Sequence, residues 1–228
     1  MAIEHVKAHF EDEAKEFDSV VQRLFPNYNA MIAALISVIP FSRGEAFSVV
    51  DLGCGTGTLS KAVKDSFPNA AVTCIDIAGK MLEIAKDKLG GDVNCIQADF
   101  NNFDFPQKYD LVVSSLALHH LETDDDKFGV YKKIYATLNN GGIFINIDVV
   151  LGSDEKLQER YMEKWKEFMA KSMSQNEIDE RWIPNYYAED RPTALTTHLK
   201  MLNDCGFSSV DVIYKYFNFA VYCGRKRD

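Results

Sequence analysis

The segment VVDLGCGTGTLS, residues 49–60, brings an acid, three alternate glycines and small hydroxyl residues together at the end of an apolar run. The acid is Asp51, and the glycines are Gly53, Gly55 and Gly57. A turn of this composition bends tightly and leaves no side chain between its backbone and a ligand. The spacing is G-x-G-x-G, whereas a dinucleotide fingerprint is G-x-G-x-x-G, so a nicotinamide oxidoreductase is disfavoured. The segment therefore predicts a bound molecule that touches this backbone.

Two further acids close the next apolar segments. Asp76, in CIDIAGKML, comes 23 residues after Gly53 and is spaced to accept hydrogen bonds from both hydroxyls of a ribose. Its alternative role is to cap a helix. Asp99, in IQADF, precedes Phe100, so the carboxylate would accept from an exocyclic amine while the ring packs on a purine; its alternative role is to cap a turn. Together the three acids predict a site for adenosine with a small polar tail.

The pattern around these residues alternates short apolar segments with amphipathic ones over residues 45–150. Such alternation predicts right-handed βαβ units, and hence an α/β fold with a doubly wound parallel sheet and helices on both faces. The carboxyl ends of parallel strands form the ligand-binding edge, which is where all three acids would lie. Residues 4–39 and 153–180 have helical patterns, and the chain is expected to end with a helix and two strands.

Composition limits the class of protein. The chain has 228 residues, 46% of them hydrophobic, and a net charge of −9, which makes nucleic acid an unlikely partner. Five scattered cysteines without a CxxC pair favour a reduced, cytoplasmic chain, and no metal site is indicated. The N-terminus is charged from its fourth residue, so we expect neither a signal peptide nor a membrane segment.

Several ordered motifs resemble those of the class I S-adenosylmethionine-dependent methyltransferases. VVDLGCGTG is similar to the first motif of that family, CIDIAGKMLEIAK to the second, CIQADFNNFDF to the third and YDLVVSSLALHHL to the fourth. The segment CGFSSVDVIYKYFNFAVYCGRK is similar to its terminal helix and antiparallel hairpin. The resemblance implies a seven-stranded, mostly parallel sheet whose last strand is antiparallel. It also implies S-adenosylmethionine as cofactor and a methyl acceptor as substrate.

The resemblance implies roles for residues that match the family motifs. Asp51 would organise the glycine turn and the methionine amino group, with Gly53 and Gly55 against the methionine moiety and Gly57 as the third cofactor-binding glycine. Asp76 would bind the ribose. The remaining cofactor residues implied in this way are Ile77, Met81, Asp99, Phe100 and Ser115.

A sulfonium methyl is already activated, so transfer requires an acceptor held in line about 3 Å from the methyl carbon in a site closed to water. A general base is needed only when the acceptor must lose a proton. His120, just past a strand end, is the candidate base; the alternative is that it only hydrogen-bonds its loop. Oxygen, nitrogen, carbon and sulfur all stay open as the attacking atom.

Acceptor contacts are expected outside the common core. We predict a single methyltransferase domain made of an N-terminal helical cap (1–42), a cofactor-binding core (45–150), a helical lid (153–190) and a terminal helix with a hairpin (195–228). Aromatic residues of the cap and lid would line an acceptor pocket, with packing in the core as the alternative. The candidate substrate and lid residues are Phe10, Phe17, Tyr28, Trp165, Tyr186, Tyr187 and Arg191.

The main hypothesis is a methyltransferase for a small-molecule acceptor. One alternative is the carboxy-S-adenosylmethionine synthase subgroup of tRNA wobble-uridine modification, which FDSVVQRLFPNY and the C-terminal segment also resemble. That subgroup has an arginine for the extra carboxylate, and neither Arg181 nor Arg191 is a clean counterpart. A second alternative is a non-catalytic protein that binds S-adenosylmethionine. The oligomeric state is open, with a homodimer among the options.

Overall fold

A computed structural model of the chain describes residues 2–91 and 93–227. The strands are β1 (Ser48–Leu52), β2 (Ala71–Asp76), β3 (Asn94–Gln97), β4 (Tyr109–Ser115), β5 (Leu138–Leu151), β6 (Thr193–Ala194), β7 (Ser208–Tyr216) and β8 (Phe219–Arg225). The α-helices are α1 (Ala2–Glu13), α2 (Phe17–Leu24), α3 (Tyr28–Ser37), α4 (Thr58–Ser66), α5 (Gly79–Leu89), α6 (Asp124–Thr137), α7 (Glu155–Met169), α8 (Gln175–Glu177), α9 (Ile183–Glu189) and α10 (Leu195–Asp204). A 3₁₀ turn spans Leu118–His120, and a π-helical turn spans Ile178–Trp182.

Seven strands form one sheet in the order β3-β2-β1-β4-β5-β8-β7. Strands β3, β2, β1, β4 and β5 are parallel, whereas β8 lies antiparallel between β5 and β7. The predicted α/β class, with a mostly parallel sheet and an antiparallel last strand, is confirmed. The two-residue β6, which pairs with β5, is an additional strand that the sequence patterns did not indicate.

The strand order reverses at β1. The chain passes outward through β2 and β3 and then returns to the other side of β1 to form β4. Where such a reversal occurs, the two connections leave in opposite directions and open a crevice at the carboxyl ends of the strands. The glycine turn after β1 and Ser115 at the end of β4 therefore lie at the same crevice.

Both faces of the central strands are covered by apolar side chains. Val49 and Val113 contact one apolar cluster, which includes residues of α2, α3, α4 and α7. Val50 and Val112 contact the other cluster, which includes residues of α6 and α10. Successive side chains of a strand point to opposite faces, so continuous apolar strands require helices on both sides. The crevice is thereby set on a rigid scaffold.

The insertion after β5 is less regular than the helix predicted over residues 153–180. Helix α7 ends at Met169, and the Ser174 hydroxyl accepts a hydrogen bond from the Glu177 amide (3.2 Å) at the start of α8. A π-helical turn then precedes Pro184 in the first turn of α9. Proline has no backbone N–H and cannot form the ordinary helical bond, which accounts for the interruption at this place.

The insertion packs against the N-terminal helices. The Trp165 indole donates a hydrogen bond to the Leu24 carbonyl (2.6 Å), and Arg23 donates to the Ser172 carbonyl (2.8 Å). Within residues 2–91 and 93–227, every helix is too short or too polar to traverse a lipid bilayer. The division into cap, core, lid and terminal hairpin stays a prediction.

Candidate active site

The turn after β1 is held close to β2 and to the loop after β4. Gly53 donates a hydrogen bond from its amide to the Ile75 carbonyl (2.8 Å). Gly53 and Gly55 have φ values of +65° and +53°, in the left-handed region that favours glycine. A Cβ on Gly53 would lie 2.3 Å from the Ala117 Cβ, whereas one on Gly55 would meet only the Phe17 ring at 3.5 Å. Position 53 therefore has to be glycine because Ala117 leaves no room for a Cβ. At position 55 the lack of a side chain leaves the backbone open to the crevice.

Asp76 fixes this turn from the end of β2. Its Oδ2 accepts from the Gly55 amide (2.8 Å) and its Oδ1 from the Ala78 amide (2.9 Å). Helix α5 is capped by another carboxylate, because Glu11 of α1 accepts from the Gly79 amide (2.6 Å). Burial raises the pKa of Asp76. Each carboxylate oxygen can accept two hydrogen bonds, so Asp76 keeps capacity for a ligand.

Asp51 is completely buried at the end of β1. Its Oδ2 accepts from the Ser60 hydroxyl (2.6 Å), while its Oδ1 accepts no hydrogen bond from the described residues. Burial, with a smaller contribution from the nearby Asp76 carboxylate, raises the pKa of Asp51 to about 7 despite the Ser60 hydrogen bond. A buried carboxylate with an unused oxygen is costly unless a cationic group pairs with it. Asp51 is thus prepared for a cation.

A first cavity, with an empty volume of about 760 Å³ including its mouth, opens over this turn. It is lined by Phe10, Phe17, Tyr28, Asp51, Gly53, Cys54, Gly55, Thr56, Thr58, Leu59, Asp76, Ile77, Met81, Phe100, Ser115, Leu116, Ala117 and His120. Most residues that the sequence predicted for the cofactor are therefore brought together here. Tyr28 reaches across to Ser115, with 3.3 Å between their hydroxyl oxygens.

Two predicted cofactor residues lie outside this lining. Gly57 faces α5, where an added Cβ would lie 3.0 Å from the Ala85 Cβ, so it permits close helix packing. Asp99 accepts from the Asn101 amide (2.9 Å) and the Asn102 side chain (2.9 Å), as a turn-capping aspartate does. Its proposed contact with an adenine edge stays a prediction.

A second cavity, with an empty volume of about 650 Å³ including its mouth, adjoins the first. It is lined by His9, Phe10, Phe17, Val20, Val21, Leu24, Phe25, Leu116, His119, His120, Trp165, Trp182, Asn185, Tyr186, Glu189 and Asp190. One end is apolar, and the other carries imidazole and carboxylate groups. Phe10, Phe17, Leu116 and His120 line both cavities. The two spaces therefore share a wall.

Of the predicted lid residues, Trp165 and Tyr186 line this second cavity, whereas Tyr187 and Arg191 do not. Tyr187 is 65% exposed. The Arg191 guanidinium donates to the backbone carbonyls of Ala188 (3.0 Å) and Asp190 (2.7 Å). Arg191 therefore stabilises the end of α9, and its predicted contact with a substrate stays a prediction.

Leu116 forms part of the shared wall in a strained conformation. Its φ is +56°, which is rare for a residue with a branched side chain. Its amide donates to the Ile147 carbonyl (2.8 Å), so the sheet holds the strain in place. Strain of this kind collects at sites where function fixes the backbone.

A polar cluster is formed by His119, His120, Asp148 and Asp190. It lies at the junction of the two cavities, where His120 is part of the wall that they share. His119 Nδ1 lies 2.5 Å from Asp148 Oδ1, and its Nε2 lies 3.6 Å from Asp190 Oδ1. His120 Nδ1 lies 3.4 Å from the same Asp190 oxygen. The backbone of residue 191 donates to the His119 carbonyl (2.7 Å), which fixes these segments together.

The charges of this cluster follow from its burial. Burial alone would lower the pKa of His119, but the carboxylates of Asp190 and Asp148 outweigh that effect and raise it. Burial and the neighbouring His119 hold the pKa of His120 well below its usual range. Burial raises the pKa of Asp190 to about 6. His120 is therefore neutral near pH 7, as a proton acceptor must be.

The N-terminal helices are fastened over the first cavity by Asp18. Its Oδ1 accepts from the hydroxyls of Thr56 (2.5 Å) and Thr58 (3.0 Å), and its Oδ2 lies 2.6 Å from Lys88 Nζ. Burial would raise the pKa of Asp18, but these hydrogen bonds and the ammonium charge lower it. A ligand of the first cavity is thus covered by α1 and α2 as long as these contacts of Asp18 are intact.

The sequence patterns missed three members of the polar cluster, His119, Asp148 and Asp190. Asp190 lies about seventy residues after the two histidines, and no spacing rule connects them. Asp148 reads as part of an apolar strand segment, INIDVV. The only usable signal was an acid buried among β-branched residues, which needs a partner somewhere in the fold.

Comparison with known proteins gives the family. Residues 49–142 match the model of a methyltransferase domain. A carboxy-S-adenosyl-L-methionine synthase of Campylobacter lari is 25% identical over 93% of this chain and 92% of its own length. A malonyl-[acyl-carrier protein] O-methyltransferase of Ilyobacter polytropus is 29% identical over 60% of this chain, which spans about half of that relative.

Solved structures agree on the fold. Human N-acetylserotonin methyltransferase, solved in complex with S-adenosylmethionine, has a TM-score of 0.64 at 18% identity, covering 97% of this chain and 57% of its own. At this identity the likeness shows that the two chains share a fold. Residues 49–142 are a methyltransferase domain, and the chain is an S-adenosylmethionine-dependent methyltransferase with S-adenosylmethionine as its cofactor.

Proposed function

We propose that this enzyme transfers a methyl group to a small, largely apolar molecule bound in the second cavity. The observation that carries the proposal is the shared wall, in which His120 is the one polar residue among the four that border both cavities. The apolar end offers Trp165, Trp182 and Phe25 to a hydrophobic body. The histidines and Asp190 offer hydrogen bonds to one polar group.

The residues of the first cavity fit the cofactor. The unused Oδ1 of Asp51 suits the ammonium of the methionine moiety, and the bare backbone at Gly55 suits its close approach. Asp76 has free acceptor capacity for ribose hydroxyls. Ile77, Met81 and Phe100 supply apolar surface for adenine. Asp51, Gly53, Gly55, Asp76 and Ser115 are our proposed cofactor residues among those that line the cavity.

The chain contributes position and proton handling to the reaction. The cofactor supplies a methyl group already activated by its sulfonium. Phe10 and Phe17 exclude water, and the walls of the second cavity hold the acceptor so that its lone pair points through the junction. Where the acceptor atom carries a proton, neutral His120 accepts it. An acceptor-sized cavity beside the cofactor argues against a purely cofactor-binding role.

Neighbouring tyrosines of α9 give a matched test of the acceptor site. Tyr186→Ala should raise the acceptor KM at least about tenfold. The substitution removes a ring that lines the cavity, and burial of a side chain of this size contributes roughly 1.5–3 kcal/mol of free energy. Tyr187→Ala, which removes a 65% exposed ring, should leave KM unchanged. Acceptors would be found by screening small phenols, amines and carboxylic acids for release of S-adenosylhomocysteine. Equal effects of the two substitutions would argue against the second cavity as the acceptor site.

Carboxy-S-adenosylmethionine synthesis is the second candidate, because relatives with that name match nearly the whole chain. A carboxylated cofactor needs a cation for its added carboxylate. Among the described residues that line either cavity there is no arginine or lysine. Arg181 lies over the Trp182 ring (4.4 Å), and Arg191 binds backbone carbonyls. These contacts favour methyl transfer, and mass spectrometry of any co-purified cofactor distinguishes the two activities by the mass of a carboxyl group.

The contacts of Asp18 with Thr56, Thr58 and Lys88 should slow the release of the cofactor. Asp18→Asn should speed dissociation of S-adenosylmethionine roughly twofold to tenfold, a modest effect because the ion pair with Lys88 is half-exposed. Stopped-flow fluorescence with excess competing S-adenosylhomocysteine would measure the rate. Asp65→Asn, which breaks the exposed pair with Lys61, is the control. An unchanged rate for Asp18→Asn would mean that the cofactor leaves without movement of α2.

A further inference from the structure

The carboxylate of Asp190 has an unusual position in the polar cluster. It is 14% exposed, and none of the described residues donates a hydrogen bond to its oxygens. Its Oδ1 faces two imidazole nitrogens, at 3.6 Å from His119 Nε2 and 3.4 Å from His120 Nδ1. Both separations exceed the usual length of a hydrogen bond, about 2.7–3.2 Å. The two contacts have ion-pair distances, and His120 Nδ1 also lies 3.4 Å from the Glu189 carbonyl oxygen, so direct hydrogen bonds to Asp190 do not account for the arrangement.

The same separations match ligands around one metal ion. Nitrogen and oxygen ligands lie about 2.0–2.2 Å from Zn²⁺, and the corners of such a tetrahedron are about 3.3–3.6 Å apart. Adjacent ligands of an octahedral ion at a similar distance would be closer, about 3.0 Å. The ligand atoms of His119, His120 and Asp190 all lie within 4.8 Å of one another. The geometry favours a four-coordinate ion.

The surroundings support metal binding in two ways. His119 turns its other nitrogen, Nδ1, to the buried Asp148 (2.5 Å), and a carboxylate behind a ligand histidine orients the ring and makes it a stronger ligand. Asp148 is itself held by the Asn146 side chain (3.0 Å). The backbone bond from residue 191 to His119 fixes Asp190 beside the 3₁₀ turn. The site is therefore preorganised on rigid elements.

We infer that His119, His120 and Asp190 form a zinc-type divalent metal site with three protein ligands and one open position toward the second cavity. All three residues line that cavity, so the open position faces the space that the acceptor occupies under the proposed function. An oxygen of the acceptor would bind there. With the ion bound, His120 would serve as a ligand and the ion would supply Lewis-acid activation of an acceptor hydroxyl bound at the open position, so the base role proposed for His120 applies to the metal-free enzyme.

The test is metal binding by the full-length enzyme after treatment with a chelator. Titration with Co²⁺ should give the visible absorption of a four-coordinate cobalt centre, and loading with Zn²⁺ should leave one ion per chain after gel filtration. Asp190→Asn should lower the affinity at least about tenfold, since it removes a charged ligand. Asp179→Asn, at an exposed acid of the same insertion, should bind as the unaltered protein does.

Two results would overturn the inference: no retained zinc, or equal retention by Asp190→Asn. A calorimetric titration of the same samples with S-adenosylmethionine separates this inference from the proposed function. Cofactor binding without metal binding removes only the metal site. Loss of cofactor binding in the unaltered protein would count against the proposed function itself.

Discussion

Replacing Asp51 with asparagine should weaken the binding of S-adenosylmethionine by about ten- to a hundredfold and, in the absence of cofactor, make the protein more stable above pH 7. The loss of affinity follows from removal of a charge-assisted hydrogen bond to the methionine ammonium, worth about 1.5–3 kcal/mol. The gain in stability follows from burial. The pKa of Asp51 is raised to about 7 in the folded chain from an ordinary value of 3.8.

The sign follows from linkage between protonation and folding. A carboxyl group whose pKa is higher in the folded state binds its proton more tightly there, so the folded state is favoured at low pH. Its ionisation destabilises the cofactor-free protein progressively between pH 4 and pH 7, by an amount on the order of 4 kcal/mol. Asparagine removes this penalty. The melting temperature of Asp51→Asn should therefore exceed that of the unaltered protein at pH 8 and approach it at pH 5.

Binding should show the complementary pH dependence. The cation prefers ionised Asp51, so the Kd of S-adenosylmethionine should rise up to about tenfold for each pH unit below 7 in the unaltered protein, and much less in Asp51→Asn. Asp110→Asn is the control. Its carboxylate accepts from the Ser48 amide and hydroxyl (both 2.8 Å). Burial would raise the pKa of Asp110, but these hydrogen bonds lower it. That substitution should reduce stability at pH 8 and leave Kd unchanged; a stabilised Asp110→Asn or an unaffected Asp51→Asn would refute the assignment.

The sequence could predict most of the residues that line the first cavity because its signals are local. Asp51, Gly53, Gly55 and Asp76 each stand at the end of a strand, and the carboxyl ends of parallel strands meet at one edge. The same rule predicted that Asp99 also lies at this edge of the sheet. That residue turns to its own loop, since a short side chain followed by asparagines satisfies its oxygens within three residues.

The acceptor side was predicted only in outline. Tyr186 and Tyr187 are adjacent residues of the same type. The packing of α9 alone decides that Tyr186 is buried and Tyr187 is exposed. The polar cluster depends on a backbone bond between the 3₁₀ turn and residue 191, about seventy positions apart. Such pairing arises from tertiary packing, which no periodicity within one segment encodes. Arg191 illustrates the same limit. Its guanidinium donates hydrogen bonds to backbone carbonyls at the end of α9, a contact that the sequence pattern did not indicate.

The cluster also explains why β5 carries polar side chains in its interior. Asp148 contacts His119 on one side, and Asn146 donates to both Asp148 (3.0 Å) and the Tyr222 hydroxyl (2.8 Å). Tyr222 in turn bonds Tyr131 (2.8 Å). Asn146 Oδ1 accepts no hydrogen bond from the described residues, but the bonds through the Asn146 amide nitrogen and the two tyrosine hydroxyls join these side chains and restrain their positions. The position of His119, and through it of His120, is therefore fixed from the core of the sheet.

Replacing His120 with alanine should lower kcat for an acceptor that loses a proton by about 10²- to 10⁴-fold, with the Kd of S-adenosylmethionine nearly unchanged. His120 borders the first cavity but makes no hydrogen bond with Asp51, Asp76 or the glycine turn among the described residues. Because burial and His119 hold the pKa of His120 well below its usual range, this group is neutral near pH 7. The kcat of the unaltered enzyme should thus not fall between pH 8 and pH 7 on account of His120.

Two additional measurements decide how His120 acts. If it accepts the proton directly, added imidazole should restore part of the activity of His120→Ala, because the substitution leaves space for the ring at the junction, and a chelator should not affect the unaltered enzyme. If it acts as a metal ligand, the chelator should inhibit the unaltered enzyme, Zn²⁺ should reverse that inhibition, and imidazole should restore activity only when zinc is present. Unchanged kcat in His120→Ala would exclude both roles, and the residue would then serve only to close the loop between the two cavities.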